Sequence, residues 1–381
     1  MATKKKPEDA AAVNEKVENT ESKAIYSANR KSHRRTSSDA KIDEVITGTG
    51  SRAAALHDAR QRSAEREREQ EIRAKKMTDW MSVNAAYKLG RALNGVVIAT
   101  QSRALRNGDS VVFAVASCEN TDFQALIPFN EFYREDPIKP DDGGKGTLER
   151  RQEQMLAKHM GAPISFVITD LDTRKDDNGN VTYGVIASRR QALAKQDHRT
   201  FDSEPPYIVE NMVTSATILS VSQQGVLVNL GGVDVRMNKR DVSNRYMRTM
   251  DDTDRLTGRP YYSVGDKLDV KVMKVIKRED GLHDLHLSGA YAELQNIIDF
   301  GPPTEPGTTT IATLTRIFPN KTDKSKATIY AYSDSFNLPI VITRFSPTLI
   351  RKRMVPGDTL LVQIIGYHEN GFAFALCKGL M

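Results

Sequence analysis

Val226-Leu227-Val228-Asn229-Leu230-Gly231-Gly232-Val233-Asp234-Val235-Arg236-Met237 sets two short alternating runs on either side of a Gly-Gly turn. Apolar and polar residues that alternate with a period of two mark a half-buried strand, and paired glycines supply the backbone freedom a tight reversal needs. Upstream, residues 212–221 read as another strand, joined to the first run by Ser222-Gln223-Gln224-Gly225. Downstream, a polar connection ends at Ser263-Val264-Gly265-Asp266, and residues 267–275 and 285–288 alternate again. Five short strands with glycine turns, and one long connection after the third, predict a small closed Greek-key barrel of the OB type.

The same layout extends outward in both directions. Residues 95–99, 110–115, 123–132, 164–170 and 181–188 read as a divergent first barrel, with a helix from Thr147 to His159 inserted before its fourth strand and Asp177-Asn178-Gly179-Asn180 as a hairpin turn. Residues 309–318, 326–332, 338–343, 356–365 and 371–376 read as a third. Asp202-Ser-Glu-Pro-Pro206 and Gly301-Pro-Pro-Thr-Glu-Pro-Gly307 are Pro-rich linkers between them. The expected domains are 1–77, a disordered basic arm and a solvated helix; 78–200, a leading helix and the first barrel; 205–300, the second; and 305–381, a basic third. Residues 52–77 are strong helix formers, and Thr78-Asp79 is expected to cap a second helix whose apolar side is Trp80, Met81, Ala85, Tyr87 and Leu89. The fold class is thus mainly β: tandem five-stranded OB barrels behind a disordered and helical arm.

Gly225-Val-Leu-Val-Asn-Leu230, Gly232-Val-Asp-Val235, Val264-Gly265-Asp266-Lys-Leu-Asp-Val-Lys-Val272 and Leu287-Ser288 follow in the order and spacing of the RNA-binding repeat of the large ribosomal protein S-one, which this stretch resembles. The overall arrangement also resembles repeat-containing proteins carried by phages and prophages of Gram-positive bacteria. The resemblance implies RNA binding on one barrel face, with second-strand aromatics stacking on bases and basic residues near the exit reaching phosphate. In the second copy the aromatic positions hold Gln224 and Leu227, and no basic residue follows Leu287-Ser288, so its binding face is in doubt.

Composition bounds the partners. The chain has 381 residues and a net charge of +6. Residues 1–77 carry 18 basic and 13 acidic residues and 304–381 carry 9 and 5, so positive charge sits at the two ends and the middle is net −3. End-loaded charge favours a polyanion, because each neutralised phosphate releases counterions. Cys118 and Cys377 are the two cysteines, which excludes a disulfide framework and fits a reducing cytoplasm. No apolar run reaches the ~20 residues a membrane span needs, and no secretory signal opens the chain.

The candidate nucleic-acid contacts follow from rings beside cations. In the third barrel they are Tyr330 and Tyr332, expected to face outward because Ile329 and Ala331 suit the interior, with Lys326, Arg344, Phe345, Arg351, Lys352 and Arg353. In the first they are Phe113, Phe129, Phe132, Arg189 and Arg190, with Phe113 and Phe129 as either core or contact. In the long loop of the second they are Arg245, Tyr246 and Arg248. Asp142-Gly-Gly-Lys-Gly-Thr147 lacks phosphate-loop spacing, Asp170, Asp172, Asp176 and Asp177 lack that of an EF-hand, and His283 and His286 point to opposite strand faces. No catalytic constellation, cofactor or metal is expected. The sequence therefore predicts a cytoplasmic, non-enzymatic protein that binds single-stranded RNA ahead of DNA with low sequence preference, with the ribosome or other proteins as further partners. The alternative is a structural or assembly protein, of phage origin, that uses the barrels as protein contacts.

Overall fold

The computed structural model describes residues 52–104, 110–138, 147–175, 181–253, 258–319, 327–345 and 354–381. The basic patch at 29–38, the acidic turn at 176–180, Lys321, Lys324, Lys326, Arg351, Lys352 and Arg353 lie outside them. By contacts the chain forms two compact units, up to Ala74 and from Lys75.

Helix α1, Arg52–Leu89, is one uninterrupted helix. The expected break at Thr78-Asp79 does not occur, because neither residue stops a helix; the Asp79 carboxylate instead accepts from the Asp122 amide at 3.2 Å. From Trp80 on, the buried side is Trp80, Val83 and Ala86, three apart, packed on the first barrel, while Met81, Ala85, Tyr87 and Leu89 are exposed.

The first barrel is β1 (Ala92–Ala104), β2 (Ser110–Cys118), β3 (Gln124–Pro128), the short α2 (Phe129–Phe132), α3 (Leu148–Ala157), β4 (Pro163–Lys175) and β5 (Val181–Ser188), closed in the order β1-β2-β3-β5-β4. Thr147 caps α3 by accepting from the Arg150 amide. Helix α4 (Arg189–Phe201), capped by Ser188, leads away from β5. The second unit of sheet is β6 (Val213–Ser222), β7 (Gly225–Leu230), β8 (Val233–Asn238), the short α5 (Lys239–Val242), β9 (Lys267–Lys277) and β10 (His283–Ser288). Its order, β10-β9-β6-β7-β8, keeps the same strand succession, but β8 and β10 are edges where the sequence predicted closure. At that seam the His283 amide bonds the Asp197 carboxylate of α4 at 3.0 Å rather than a neighbouring strand. Helix α6 (Gly289–Phe300) leads to the third barrel, β11 (Thr309–Pro319), β12 (Ala327–Ser333), β13 (Leu338–Phe345), β14 (Thr359–Tyr367) and β15 (Ala373–Leu380), closed as β11-β12-β13-β15-β14.

The three sheets share one register. Each first strand bulges once, between Val97 and Ala99, Ile218 and Ser220, and Leu314 and Arg316. The residue after the bulge faces Val115, Leu227 and Tyr330 respectively, so these three occupy equivalent outer positions on the second strand.

The outer face of the second sheet is covered by the first barrel. Leu219 belongs to the first barrel's core cluster, and Leu227 and Val264 pack on it. Arg189 is 1% exposed. Its guanidinium makes two bonds of 2.8 Å to the Asp234 carboxylate, donates to the Phe132 carbonyl and lies 5.1 Å from the Phe132 ring. Behind it, buried Asp197 accepts from Arg134 at 2.9 Å and pairs with His283 at 2.6 Å. Gly232, at φ +91°, lets the β7–β8 turn reach α4, since a Cβ there would lie 2.5 Å from the Leu193 carbonyl oxygen.

The second and third sheets meet at Arg245. Its guanidinium lies between the rings of Tyr261 (4.5 Å) and Tyr332 (5.3 Å), pairs with Asp334 at 2.9 Å and donates to Asn337. Nearby Glu293 accepts from Ser243 at 2.5 Å and from the Asn244 amide at 3.0 Å.

Two outcomes follow from these interfaces. Removing one partner of the buried pair, in Asp234→Asn, should cost roughly 3–5 kcal/mol in urea unfolding at pH 7. Burial alone would raise the Asp234 pKa, but Arg189 and Asn229 prevail and hold it below its ordinary value. A depressed folded-state pKa gives stability that is full above the unfolded pKa, about 4, and is lost as pH falls through the folded one. The gap between wild type and Asp234→Asn should therefore narrow below about pH 4. Gly232→Ala should lower the thermal midpoint through a cost on the order of 1–3 kcal/mol, since strained torsion and backbone clash coincide.

Candidate nucleic-acid interface

A groove of about 440 Å³ opens between the second and third sheets. One wall is the outer face of the third barrel, where Arg316 and Phe318 of β11, Tyr330 of β12 and Phe372 of the β14–β15 turn come together. The opposite wall comes from Arg240, Asp241, Asn244, Ser288 and Tyr291. Tyr330 holds the centre of the aromatic wall. Its ring meets Phe318 and Phe372, each at 5.6 Å and edge-on. Phe318 stays 52% exposed and Tyr291 54%, so flat ring surface remains open to a ligand.

Charge distinguishes this groove. Arg240 and Arg316 have no carboxylate within ion-pair distance among the described residues, and one Arg316 nitrogen sits 3.5 Å from the Arg240 carbonyl. Burial and then the like charge of Arg240 push the Arg316 pKa down, against a smaller pull from Asp241 and Tyr330. Such a site sets two cations, with one carboxylate near them, beside π faces, a combination suited to a phosphate and its base.

The outward pair expected on β12 divides. Tyr330 lines the groove half-buried. Tyr332 also leaves the barrel interior, but it is 2% exposed because Arg245 and the second sheet cover it, so it offers no surface to a base. Arg344 is exposed on β13, and Phe345 ends that strand. In the first barrel, Phe113 is half-buried on the outer face of β2, and Arg190 lies 3.6 Å from Glu131. Arg189, expected at a phosphate, is instead the buried partner of Asp234, and Phe129 and Phe132 are core. In the long loop of the second sheet, Arg245 is an interface residue and Tyr246 is half-buried against Gly357, while Arg248 is exposed. Sequence reasoning missed Arg240, Arg316, Phe318, Tyr291 and Phe372. The alternation of β11 puts Arg316 and Phe318 on one face, a signal that was available.

The equivalent face of the first barrel differs in chemistry. A pocket of about 710 Å³ is lined there by Val115, Phe123, Tyr183 and Arg103 together with Asp122 and Asp172. The Trp80 ring lies 4.4 Å from that of Tyr183, tilted by 39°. Its acids outnumber its cations.

The S1 RNA binding domain family matches residues 208–283, about a fifth of the chain and the region of the second sheet. No curated protein matches. Among solved structures, a multidomain protein with nucleic acid binding domains from Streptococcus pneumoniae aligns at 11% identity, over 76% of this chain and 74% of that one, with a TM-score of 0.21. The tetrameric p202 HIN2 aligns at 6% identity, over 76% of this chain and 91% of that one, with a TM-score of 0.15. The chain is a mainly β protein that carries an OB-like S1 domain, a module whose presence points to nucleic-acid binding.

Proposed function

We propose that the protein binds single-stranded RNA, ahead of DNA and with low sequence preference, in the groove between the second and third sheets, and that it does so without catalysis. The observation that carries this reading is the Phe318–Tyr330–Phe372 wall beside two arginines that form no ion pair among the described residues. Phe318 and Tyr291 present ring faces for stacking, and every base has such a face, which is why stacking tolerates sequence. Arg240 and Arg316 supply the phosphate contacts. The basic third domain and arm add a long-range attraction that salt weakens. The S1 match supports the ligand class, even though the face of the matched sheet is itself closed off by the first barrel.

Fluorescence anisotropy of a labelled single strand, titrated across salt, tests this. Phe318→Ala and Tyr330→Ala should each weaken binding by about 1–3 kcal/mol, one lost stack. Arg316→Gln should lower the slope of log affinity against log salt by about one. Tyr332→Phe should leave affinity unchanged, since its ring is covered. Full affinity in Phe318→Ala and Tyr330→Ala would rule the groove out.

A further inference from the structure

Between the first and second sheets, beside the covered face, lies a separate pocket of about 400 Å³, within the size range of small-ligand sites. Tyr133, Pro137, Met155 and His159 of the first barrel line it with Ser220, Leu227 and Arg236 of the second sheet. Two of its wall residues are anomalous. Tyr133 is 9% exposed and His159 3%, and the Tyr133 hydroxyl and His159 Nδ1 are both buried with no hydrogen-bond partner among the described residues. Folded proteins rarely leave such groups, because each forfeits the hydrogen bonds it made to water. The two rings meet edge to face at 5.6 Å, and both residues line the pocket.

Their chemistry is complementary. Burial, and next the positive charge of Arg189, push the His159 pKa down to about 4. At neutral pH the ring is uncharged, so Nδ1 accepts in the tautomer that carries its proton on Nε2, while the phenol is a donor. Met155, Pro137 and Leu227 give the apolar surface a flat ring needs. Lys158 and Arg236 are exposed at the pocket with no carboxylate partner among the described residues. The other charges around it are already engaged: Arg134 with Asp197, Asp234 with Arg189, and Arg278 with Glu135 and Asp284. A donor–acceptor edge, apolar walls and two free cations describe the needs of a heteroaromatic base carrying a phosphate.

We infer that this pocket takes one nucleotide, its base edge held by Tyr133 and His159 and its phosphate by Lys158 and Arg236. The inference extends the nucleic-acid reading to a second site but stands on its own residues. The nucleotide comes either free or as one unit of a bound strand, and the test separates the two.

Isothermal titration of the full chain with each of the four ribonucleoside 5′-monophosphates, and anisotropy with a labelled single-stranded RNA, would be run on wild type, Tyr133→Phe and Arg236→Gln. Tyr133→Phe removes an atom with no hydrogen-bond partner among the described residues, so its thermal midpoint should not fall, whereas a ligand that uses the hydroxyl should bind roughly three- to tenfold more weakly. One-to-one binding of a monophosphate that weakens in both variants supports a free nucleotide. Strand binding that weakens in both, with no monophosphate bound, supports a strand nucleotide. If neither ligand responds to either variant, the inference fails and the two buried atoms are satisfied by water. Phe318→Ala keeps the readings apart, since it reports on the groove alone and leaves monophosphate binding intact.

Discussion

The bidentate pair between Arg189 and Asp234 is the constraint on which the arrangement of the first two sheets depends. A guanidinium that is 1% exposed must have its charge met, since an uncompensated buried charge is among the costliest defects a fold can carry. The Asp234 carboxylate and the Phe132 carbonyl meet that demand only when the second sheet sits against the exit of β5. The geometry of one ion pair thus fixes one barrel on the next. It also explains the composition of the covered face: Leu227 stands where the third barrel has Tyr330, because the position is filled by protein, and an apolar side chain packs there without a polar atom to satisfy.

The same outer face therefore meets three fates on three similar sheets. On the first barrel it opens on a pocket whose acids outnumber its cations. On the second it is an intramolecular contact. On the third it keeps exposed rings and two arginines that form no ion pair among the described residues. Fold alone does not separate these outcomes. What separates them is whether each arginine has a carboxylate partner: Arg189 has Asp234 and Arg245 has Asp334, and both act as structural ties, whereas Arg240 and Arg316 have none within ion-pair distance among the described residues.

Much of the fold was legible because its signals are local. Alternation at 226–237 and 267–275 and the glycine turns mark strands whose observed bounds differ by a residue or two, and Ser188 and Thr147 stand where helices begin. The site was less legible because its signals are not local. Period-two alternation places Tyr330 and Tyr332 outside the barrel, and both are outside it. Alternation carries no information on whether solvent or a neighbouring sheet lies beyond, and Arg245, 87 positions earlier, covers one of the two. Arg189 looked like a phosphate contact since its partner is 45 residues downstream. Phe372 sits in a turn, where no periodicity marks its direction. On α1 the apolar side chains are too sparse to define a stripe, and Val83 and Ala86 are inside on account of what they meet rather than how apolar they are.

The second linker illustrates the same limit and bears on how the groove forms. Gly301 to Gly307 reads as a hinge on its prolines, yet the third barrel is docked closely on the second sheet and α6. Glycines at the contact permit this: a Cβ on Gly371 would lie 2.6 Å from the Leu294 carbonyl oxygen, and one on Gly357 would lie 2.9 Å from the Tyr246 ring. Both have positive φ, so both the torsion and the space select for glycine there. Leu294 and Tyr291 are on the same short helix, and Tyr291 faces the groove. The close approach that Gly371 allows is therefore also what sets the distance between Tyr291 and the Phe318–Tyr330–Phe372 wall. A groove built across two sheets has an aperture determined by their packing, and a stacking site of this kind needs that packing to be rigid, because a base is gripped only when both walls keep their separation.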